Sequence, residues 1–277
     1  MLRPLRWLLL RRHCLFTRIH HIGIAVKDMD KALKLYTGVF GLPVAHTTDF
    51  ERWGAHDVML SLGNDYIELI SSTNPTGPVG RFLERRGEGI YEVALEVVDI
   101  AGVERQLKAG GLEVRPGVQA NVRFVGPKDT HGVVFELLEG EPLPVAKGNS
   151  LFSRIHHIGQ AVKDIDGALK VYTGAFGFPL SHTITFEKWG AHDFMLTLGK
   201  QYWELIESLD PERPIGRFLA NRGEGVYTVS LQVANILEAE KRAKAGGLTI
   251  TPGVQPNIRF LHPTQTHGVL IEMHEGN

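Results

Sequence analysis

The sequence has a single cysteine, no surplus of either charge and no apolar segment long enough to span a bilayer. Cys14 is the only cysteine among 277 residues, which excludes an internal disulfide and a cysteine-based metal site and favours a reducing, cytoplasmic location. The 30 basic residues are balanced by 31 acidic ones, so there is no electrostatic basis for binding nucleic acid or an anionic membrane. The composition is that of a globular protein, and we expect a small-molecule ligand as its partner.

The first 17 residues differ from the rest of the chain. They are rich in arginine, contain no acidic residue and surround a short apolar run at residues 7–10. This run is too short to cross a membrane. We interpret residues 1–17 as an N-terminal extension that is either disordered or a targeting segment, and a presequence would place the protein in the mitochondrial matrix.

The rest of the chain consists of two copies of one sequence. The stretch at residues 18–26 returns at residues 154–162, and later motifs keep the same offset without a gap. Such a repeat predicts two domains of similar fold. We place them at residues 18–140 and 154–277, joined by a proline-containing linker at residues 141–153.

Each copy shows the same order of secondary structure twice. An apolar, β-branched strand at residues 19–26 is followed by Asp28, which predicts a helix cap, and by an apolar helical face that ends near Phe40. Two strands around Gly63 follow as a hairpin. The second half repeats this order, with Asp99 capping another helix. The sequence therefore predicts an α+β fold of four βαβββ modules.

Carboxylates interrupt apolar strands at matching positions in the two copies. They are Glu68 and Glu136 in the first copy, and Glu204 and Glu272 in the second. A mid-strand carboxylate must be paired, exposed or bound to a cation, so a solvent-facing strand is the alternative. His21 and His157 add an imidazole to each set, unless they are core residues. One imidazole and two carboxylates suit Mn²⁺, Fe²⁺, Co²⁺, Ni²⁺ or Zn²⁺.

Several motifs resemble those of the vicinal oxygen chelate superfamily, and within it those of the methylmalonyl-CoA epimerases. They are His-Ile-Gly-Ile-Ala-Val-Lys-Asp at residues 21–28, Gly-Asn-Asp-Tyr-Ile-Glu-Leu at 63–69, the segment 81–90 and the segment 260–272. The resemblance covers residues 18–140 and 154–276. It implies that paired modules form a cupped sheet around one divalent metal, as in the glyoxalases and extradiol dioxygenases.

The same resemblance implies a ligand set for each cup, by which we mean the hollow of one such sheet. His21, Glu68 and Glu136 are the implied ligands in the first copy, and His157, Glu204 and Glu272 in the second. A further histidine of the family is replaced by Glu92 and by Thr228. Glu92 would make a harder site that favours Mn²⁺, Mg²⁺ or Fe²⁺. Since threonine is a poor ligand, we expect one metal ion, in the first domain.

The catalytic glutamate of the epimerases is not matched at its aligned positions, and Glu51 and Glu187 lie one residue before them. Their glutamate aligns with Arg52 and Lys188, and a cation does not abstract a proton. Glu136 or Glu92 is therefore the predicted base. The resemblance favours a metal-dependent isomerase, epimerase or lyase that forms an enolate from a small oxo- or hydroxy-acid derivative, including a thioester. An Fe(II) extradiol dioxygenase and a non-catalytic binding protein are the alternatives.

Further polar residues recur in both copies and are candidates for contacting a substrate. In the first copy they are His46, Trp53, His56, Gln119, Asn121 and Arg123, and in the second His182, Trp189, His192, Gln255, Asn257 and Arg259. We expect the first three of each set in or beside a loop over the cup. A common origin of the copies explains such residues equally well. His20 and His156 are expected to face away from the cup, and a homodimer is compatible with the sequence.

Overall fold

Two eight-stranded mixed sheets, one from each copy, form the protein. The computed structural model describes residues 15–117, 119–140 and 143–276. Most of the arginine-rich N-terminal segment, residues 1–14, lies outside the described residues, so its predicted role stays a prediction. None of the described helices is long and apolar enough to cross a membrane.

The first sheet is built from two modules that meet at its centre. Its strands are β1 Phe16–Ala25, β2 Val44–Phe50, β3 Ala55–Leu62, β4 Asp65–Ser72, β5 Gly89–Val97, β6 Val114–Pro116, β7 Val122–Val125 and β8 Phe135–Leu138. Its helices are α1 Met29–Leu33, which continues as a π-helical stretch at Lys34–Val39, α2 Pro78–Arg86 and α3 Ile100–Ala109. The strand order is β2-β3-β4-β1-β5-β8-β7-β6. The first strand of each module, β1 and β5, therefore joins the two modules side by side.

The second sheet repeats this topology. Its strands are β9 Arg154–Val162, β10 Leu180–Phe186, β11 Ala191–Leu198, β12 Gln201–Ser208, β13 Gly225–Val233, β14 Ile250–Pro252, β15 Ile258–Leu261 and β16 Ile271–Glu275. Its helices are α4 Ile165–Leu169, continued at Lys170–Phe176, α5 Pro214–Arg222 and α6 Ile236–Ala245, with short 3₁₀ turns at Glu187–Trp189 and Pro263–Gln265. The order β10-β11-β12-β9-β13-β16-β15-β14 matches the first sheet strand for strand. The predicted α+β fold of four βαβββ modules is confirmed.

The helix caps form where the sequence predicts them. Asp28 accepts a hydrogen bond from the Lys31 amide, and Asp99 accepts one from the Gly102 amide. The helices α2 and α5, by contrast, were not predicted. Each begins with proline at its first position, where the missing amide is not needed. Val79 and Leu83 of α2 pack against the apolar sheet residues Ala25, Ala55 and Ile70.

One hydrophobic core spans both domains. Rings from both copies meet in it, with Phe135 of the first domain 4.9 Å from Trp203 and 5.2 Å from Phe176 of the second, measured between ring centroids. Corresponding hydrogen bonds cross the boundary in both directions. The Tyr36 hydroxyl donates to the carbonyl of Thr266, and that of Tyr172 donates to the carbonyl of Thr130. The domains are thus related by an approximate two-fold axis and share their interior.

Some element boundaries differ from those expected. Strand β1 begins at Phe16, two residues before the expected start of the first repeat. His46 lies within β2, and His56 is the second residue of β3, beside the turn at residues 51–54. Near the end of the expected linker, the Leu151 amide donates to the carbonyl of Phe40 at 2.7 Å, and Phe152 is buried in the shared core.

Candidate metal centre and its counterpart in the second domain

The four predicted ligands of the first domain lie on four adjacent strands. His21 is on β1, Glu68 on β4, Glu92 on β5 and Glu136 on β8. In the register of the sheet, Glu68 and Glu92 both pair with Gly23, one from each side. A Cβ atom at Gly23 would come within 2.9 Å of Glu92 Cγ and 3.1 Å of Glu68 Oε2. Glycine at this position therefore gives the carboxylates their space.

The side chains converge on His21. Its Nε2 atom lies 3.4 Å from Glu68 Oε2 and 3.3 Å from Glu136 Oε2. Ligand atoms of His21, Glu92 and Glu136 all lie within 4.8 Å of one another. Glu136 is the most open of the group, with 18% of its side chain exposed, whereas the other three residues are buried. This is a compact site at the floor of the first cup.

The chemistry of this cluster fits a divalent cation. The His21 Nε2 and Glu68 Oε2 atoms are buried without a hydrogen-bond partner, and unpartnered buried polar atoms are costly. Burial, together with Glu136 and Glu68, raises the pKa of Glu92 well above its ordinary value. Burial acts to lower the pKa of His21, but Glu136 and Glu68 outweigh it and raise that pKa to about 10. A bound cation would relieve the repulsion among the three carboxylates.

The imidazole of His20 contacts that of its neighbour. The two Nδ1 atoms are 2.8 Å apart, so one ring donates the hydrogen and the other accepts it. Burial, followed by the influence of His21, lowers the pKa of His20 to about 2, which makes it the natural acceptor. The hydrogen of His21 is then held on Nδ1, so that a cation which displaces the Nε2 proton would meet the Nε2 lone pair on the side of the carboxylates.

The expectation that His20 and His156 face away from the cup is wrong. The pairing of β1 with β5 shifts register between Ile19 and His21, and that of β9 with β13 shifts at the corresponding place. Such an irregularity interrupts the strict alternation of side chains. His156 consequently lines the same cavity as His157.

A buried aspartate beside each cluster was not identified from the sequence. Asp57 on β3 is 3% exposed, and burial followed by Glu68 raises its pKa to about 7. Asp193 on β11 is its counterpart, and burial followed by Glu204 raises its pKa to about 9. Both lie in apolar strands and recur at the repeat offset. The same pattern, an acidic residue in an apolar strand that recurs at the repeat offset, marks the glutamates and these aspartates alike.

The second cup has the same framework but a looser cluster. His157 Nε2 lies 3.4 Å from Glu204 and 3.9 Å from Glu272. Thr228 takes the place of Glu92, and the Ser230 hydroxyl donates to Glu272 Oε1 at 2.7 Å. Within the described residues, the first cup is the one place where three ligand-type side chains come within mutual ligand distance. The predicted difference between the copies is thus visible in the geometry.

A cavity of about 460 Å³ fills the second cup. Of the residues suggested as substrate contacts, His182, Trp189 and Gln255 line it. His192 instead lies 3.6 Å from Glu207 through its Nδ1 atom. Asn257 donates to the carbonyl of Glu275.

Most of the residues suggested as substrate contacts in the first copy contact other protein residues. His56 Nδ1 lies 2.7 Å from Asp49, Trp53 contacts the ring of Phe50, and Asn121 donates to the carbonyl of Glu139. His46 and Gln119 are exposed.

The two arginines of this set have structural partners. Arg123 donates through Nε to Glu104 of α3 at 2.6 Å, and Arg259 does the same to Glu240 of α6 at 2.7 Å. Both guanidinium groups tie a strand to the helix of the same module, so we leave these arginines out of the ligand site.

Comparisons with known proteins agree with this architecture. The sequence profile of the glyoxalase/bleomycin resistance protein/dioxygenase superfamily matches residues 20–127 and 156–261. Mitochondrial methylmalonyl-CoA epimerase of Homo sapiens is 31% identical over 127 residues, which cover 43% of this chain and 72% of that protein. A lactoylglutathione lyase of Arabidopsis thaliana is 22% identical and covers 92% of this chain and 91% of its own length. A mutant of 4-hydroxymandelate synthase from Streptomyces coelicolor shares the fold, with a TM-score of 0.74 at 18% identity over 95% of this chain and 93% of that one.

Proposed function

Since the chain belongs to the glyoxalase/bleomycin resistance protein/dioxygenase superfamily, we propose that its first cup is the active site of a metal-dependent isomerase or lyase. The substrate is a small oxo- or hydroxy-acid derivative, with a malonyl-type thioester as the first candidate. The observation that carries this proposal is the buried cluster of His21, Glu92 and Glu136, with the unpartnered His21 Nε2 and Glu68 Oε2 atoms beside it.

The residues of the cluster have two tasks in this proposal, and Glu92 takes part in both. His21, Glu68, Glu92 and Glu136 would hold the metal, and His20 orients the His21 ring. When bound, the metal acts as a Lewis acid on two neighbouring oxygens of a substrate. One imidazole with three carboxylates favours a hard cation such as Mn²⁺, Mg²⁺ or Fe²⁺ over Zn²⁺.

Glu92 is also the proposed proton acceptor, because a carboxylate that is released from the metal can take a proton. A general base works best when its pKa lies near the operating pH, and burial with two neighbouring carboxylates raises the pKa of Glu92 above its ordinary value. Its carboxylate oxygen would remove the proton next to the substrate carbonyl and return it to the other face or to a neighbouring atom. This role replaces the glutamate that is absent at Arg52.

A dioxygenase reaction is less well supported. Non-haem iron oxygenases use two imidazoles and one carboxylate at a shared cation. The first cup offers His21 with three carboxylates, because the neighbouring His20 ring is held on His21 Nδ1. The second cup has Thr228 where another ligand is needed.

Hydrogen exchange tests the proposal directly. The Mn²⁺-loaded full chain is incubated with methylmalonyl-CoA in deuterated water, and loss of the α-proton signal is followed by NMR. We expect exchange in the wild type, none in His21→Ala, and none in Glu92→Gln even where that variant retains metal. Exchange that persists in both variants, or oxygen uptake in the Fe²⁺-loaded protein without exchange, would overturn the proposal.

A further inference from the structure

We propose that the second cup works without a metal and binds a neutral aromatic compound that carries a hydroxyl group and a carbonyl group. This site is separate from the active site proposed for the first cup, and it does not depend on that assignment. Its residues differ from those of the first cup at the positions that matter for ligand chemistry.

A cation does not fit the second cup as it fits the first. Thr228 supplies a hydroxyl where Glu92 supplies a carboxylate. Ser230, which replaces Ala94, occupies Glu272 with a 2.7 Å hydrogen bond. Glu272 lies 3.9 Å from His157, whereas Glu136 lies 3.3 Å from His21. Compared with the first cup, the second cup therefore lacks one potential metal ligand, and a hydrogen bond engages another.

The walls of the cavity are suited to a flat, apolar ligand. Aromatic and aliphatic side chains dominate them, among them Ile184, Phe186, Trp189, Met195 and Phe260. The rings of Trp189 and Phe260 lie 6.1 Å apart at an angle of 44°. A volume of about 460 Å³ is ample for a one- or two-ring compound, since pockets for drug-sized ligands range from roughly 300 to 1,000 Å³.

Three buried polar atoms that belong to residues lining this cavity have no partner. They are Trp189 Nε1, His274 Nδ1 and Asp193 Oδ1. An indole N–H only donates, so it requires an acceptor such as a carbonyl oxygen. A carboxyl oxygen is satisfied by a hydroxyl donor. The acidic side chains of Glu204 and Glu272 in the cavity disfavour an anionic ligand, and the combination selects a neutral hydroxy-carbonyl compound.

The added polar groups are specific to the second copy. His274 stands where the first copy has Leu138, and His262, which also lines the cavity, stands where the first copy has Gly126. His274 packs against His156, with ring centroids 4.2 Å apart and the ring planes inclined at 34°. Compared with the first cup, the second cup thus has additional imidazoles on its wall and one potential metal ligand fewer on its floor.

Binding of a fluorescent probe in the presence of a chelator tests the ligand class. We choose 7-hydroxycoumarin, which has two fused rings, one hydroxyl and one carbonyl, in a slightly acidic buffer that keeps it neutral. Fluorescence anisotropy of the full chain with excess EDTA should show saturable binding. Trp189→Phe should weaken it about tenfold, because it leaves the ligand carbonyl without its donor, and His274→Leu should weaken it because it removes a polar group from the cavity wall. Leu138→His in the first cup is the matched control and should change nothing.

Counting the bound metal ions tests whether the second cup works without a metal. The metal-loaded, dialysed wild type should hold one metal ion per chain, and the double variant Thr228→Glu with Ser230→Ala should hold two. Two ions in the wild type would overturn the inference. So would absence of probe binding in EDTA, or binding that both cavity variants leave intact while thermal unfolding shows them folded. None of these readings depends on whether the first cup is catalytic.

Discussion

The two cups share a backbone and differ in what they offer a ligand. In both, a histidine on the first strand and a glutamate on the fourth flank a glycine, and the sheet registers match residue for residue. The difference is confined to a few side chains, with Thr228 for Glu92 and Ser230 for Ala94 on the strand that starts the second module. The comparison teaches that two positions on this strand decide whether the floor of a cup offers a complete cation site, whereas wall residues such as His274 and His262 set the character of the second cavity.

Removing the imidazole of the first cup should have the largest effect on metal binding and should show the largest difference between the two cups. His21→Ala should weaken Mn²⁺ binding by more than about 100-fold, since even loss of a residue that only supports a ligand costs roughly 10- to 100-fold. His157→Ala should leave Mn²⁺ binding unchanged, because the second cup holds no metal in our proposal. Isothermal titration of the two variants checks this, and similar losses in both would end the distinction between the cups.

Placing the threonine of the second cup at the equivalent position of the first cup should weaken metal binding there. Glu92→Thr should lower Mn²⁺ affinity on the order of tenfold or more, because a charged ligand is lost. The metal-free variant should unfold at a higher temperature than the metal-free wild type at neutral pH. A carboxyl whose folded pKa is raised destabilises the fold as pH rises above its ordinary value. Calorimetry should show that the variant unfolds at a higher temperature than the wild type without Mn²⁺ and gains less from added Mn²⁺. A lower unfolding temperature of the metal-free variant would contradict the proposed repulsion among the carboxylates.

Replacing His20, which positions the His21 ring, should have a smaller effect on metal binding. His20→Phe keeps a ring beside Tyr66, whose centroid lies 5.0 Å away, but removes the Nδ1 acceptor. We expect Mn²⁺ affinity to fall about tenfold and the His21 ring to lose its fixed tautomer, which nitrogen-15 NMR of the imidazoles detects. His156→Phe is the control and should leave both readings of the first cup unchanged. An unaltered tautomer in His20→Phe would rule out the positioning role.

The smallest expected effect concerns the domain boundary. Asp65 accepts the Ile155 amide at 2.9 Å, while its counterpart Gln201 accepts the Ile19 amide at 2.6 Å. Burial raises the pKa of Asp65 to about 6. The wild type should therefore lose stability on the order of 1 kcal/mol as pH rises from about 4 to 6, relative to Asp65→Asn. Urea unfolding at several pH values measures this difference, and parallel curves would show that Asp65 stays ionised throughout.

The sequence predicts those features that depend on local pattern or on exact repetition. The modules, the capping by Asp28 and Asp99 and the grouping of His21 with Glu68 and Glu136 come from periodicity, repeat and family resemblance. The orientation of His20 could not be predicted, because the register shift beside it depends on a partner strand about 70 residues away along the chain. The hydrogen bond between Ser230 and Glu272 likewise arises from the pairing of β13 with β16, which no local pattern reveals.

The shared core has a consequence for how such a protein changes over generations. In a homodimer of one-cup subunits, a substitution in the gene enters both cups at once, so a lost ligand disables both. Here Thr228 and Glu92 are separate codons, while Phe135, Phe176 and Trp203 still bind the halves into one interior. A substitution in the second cup therefore leaves the ligands of the first cup unchanged, while the second half still supplies part of the core that both domains share.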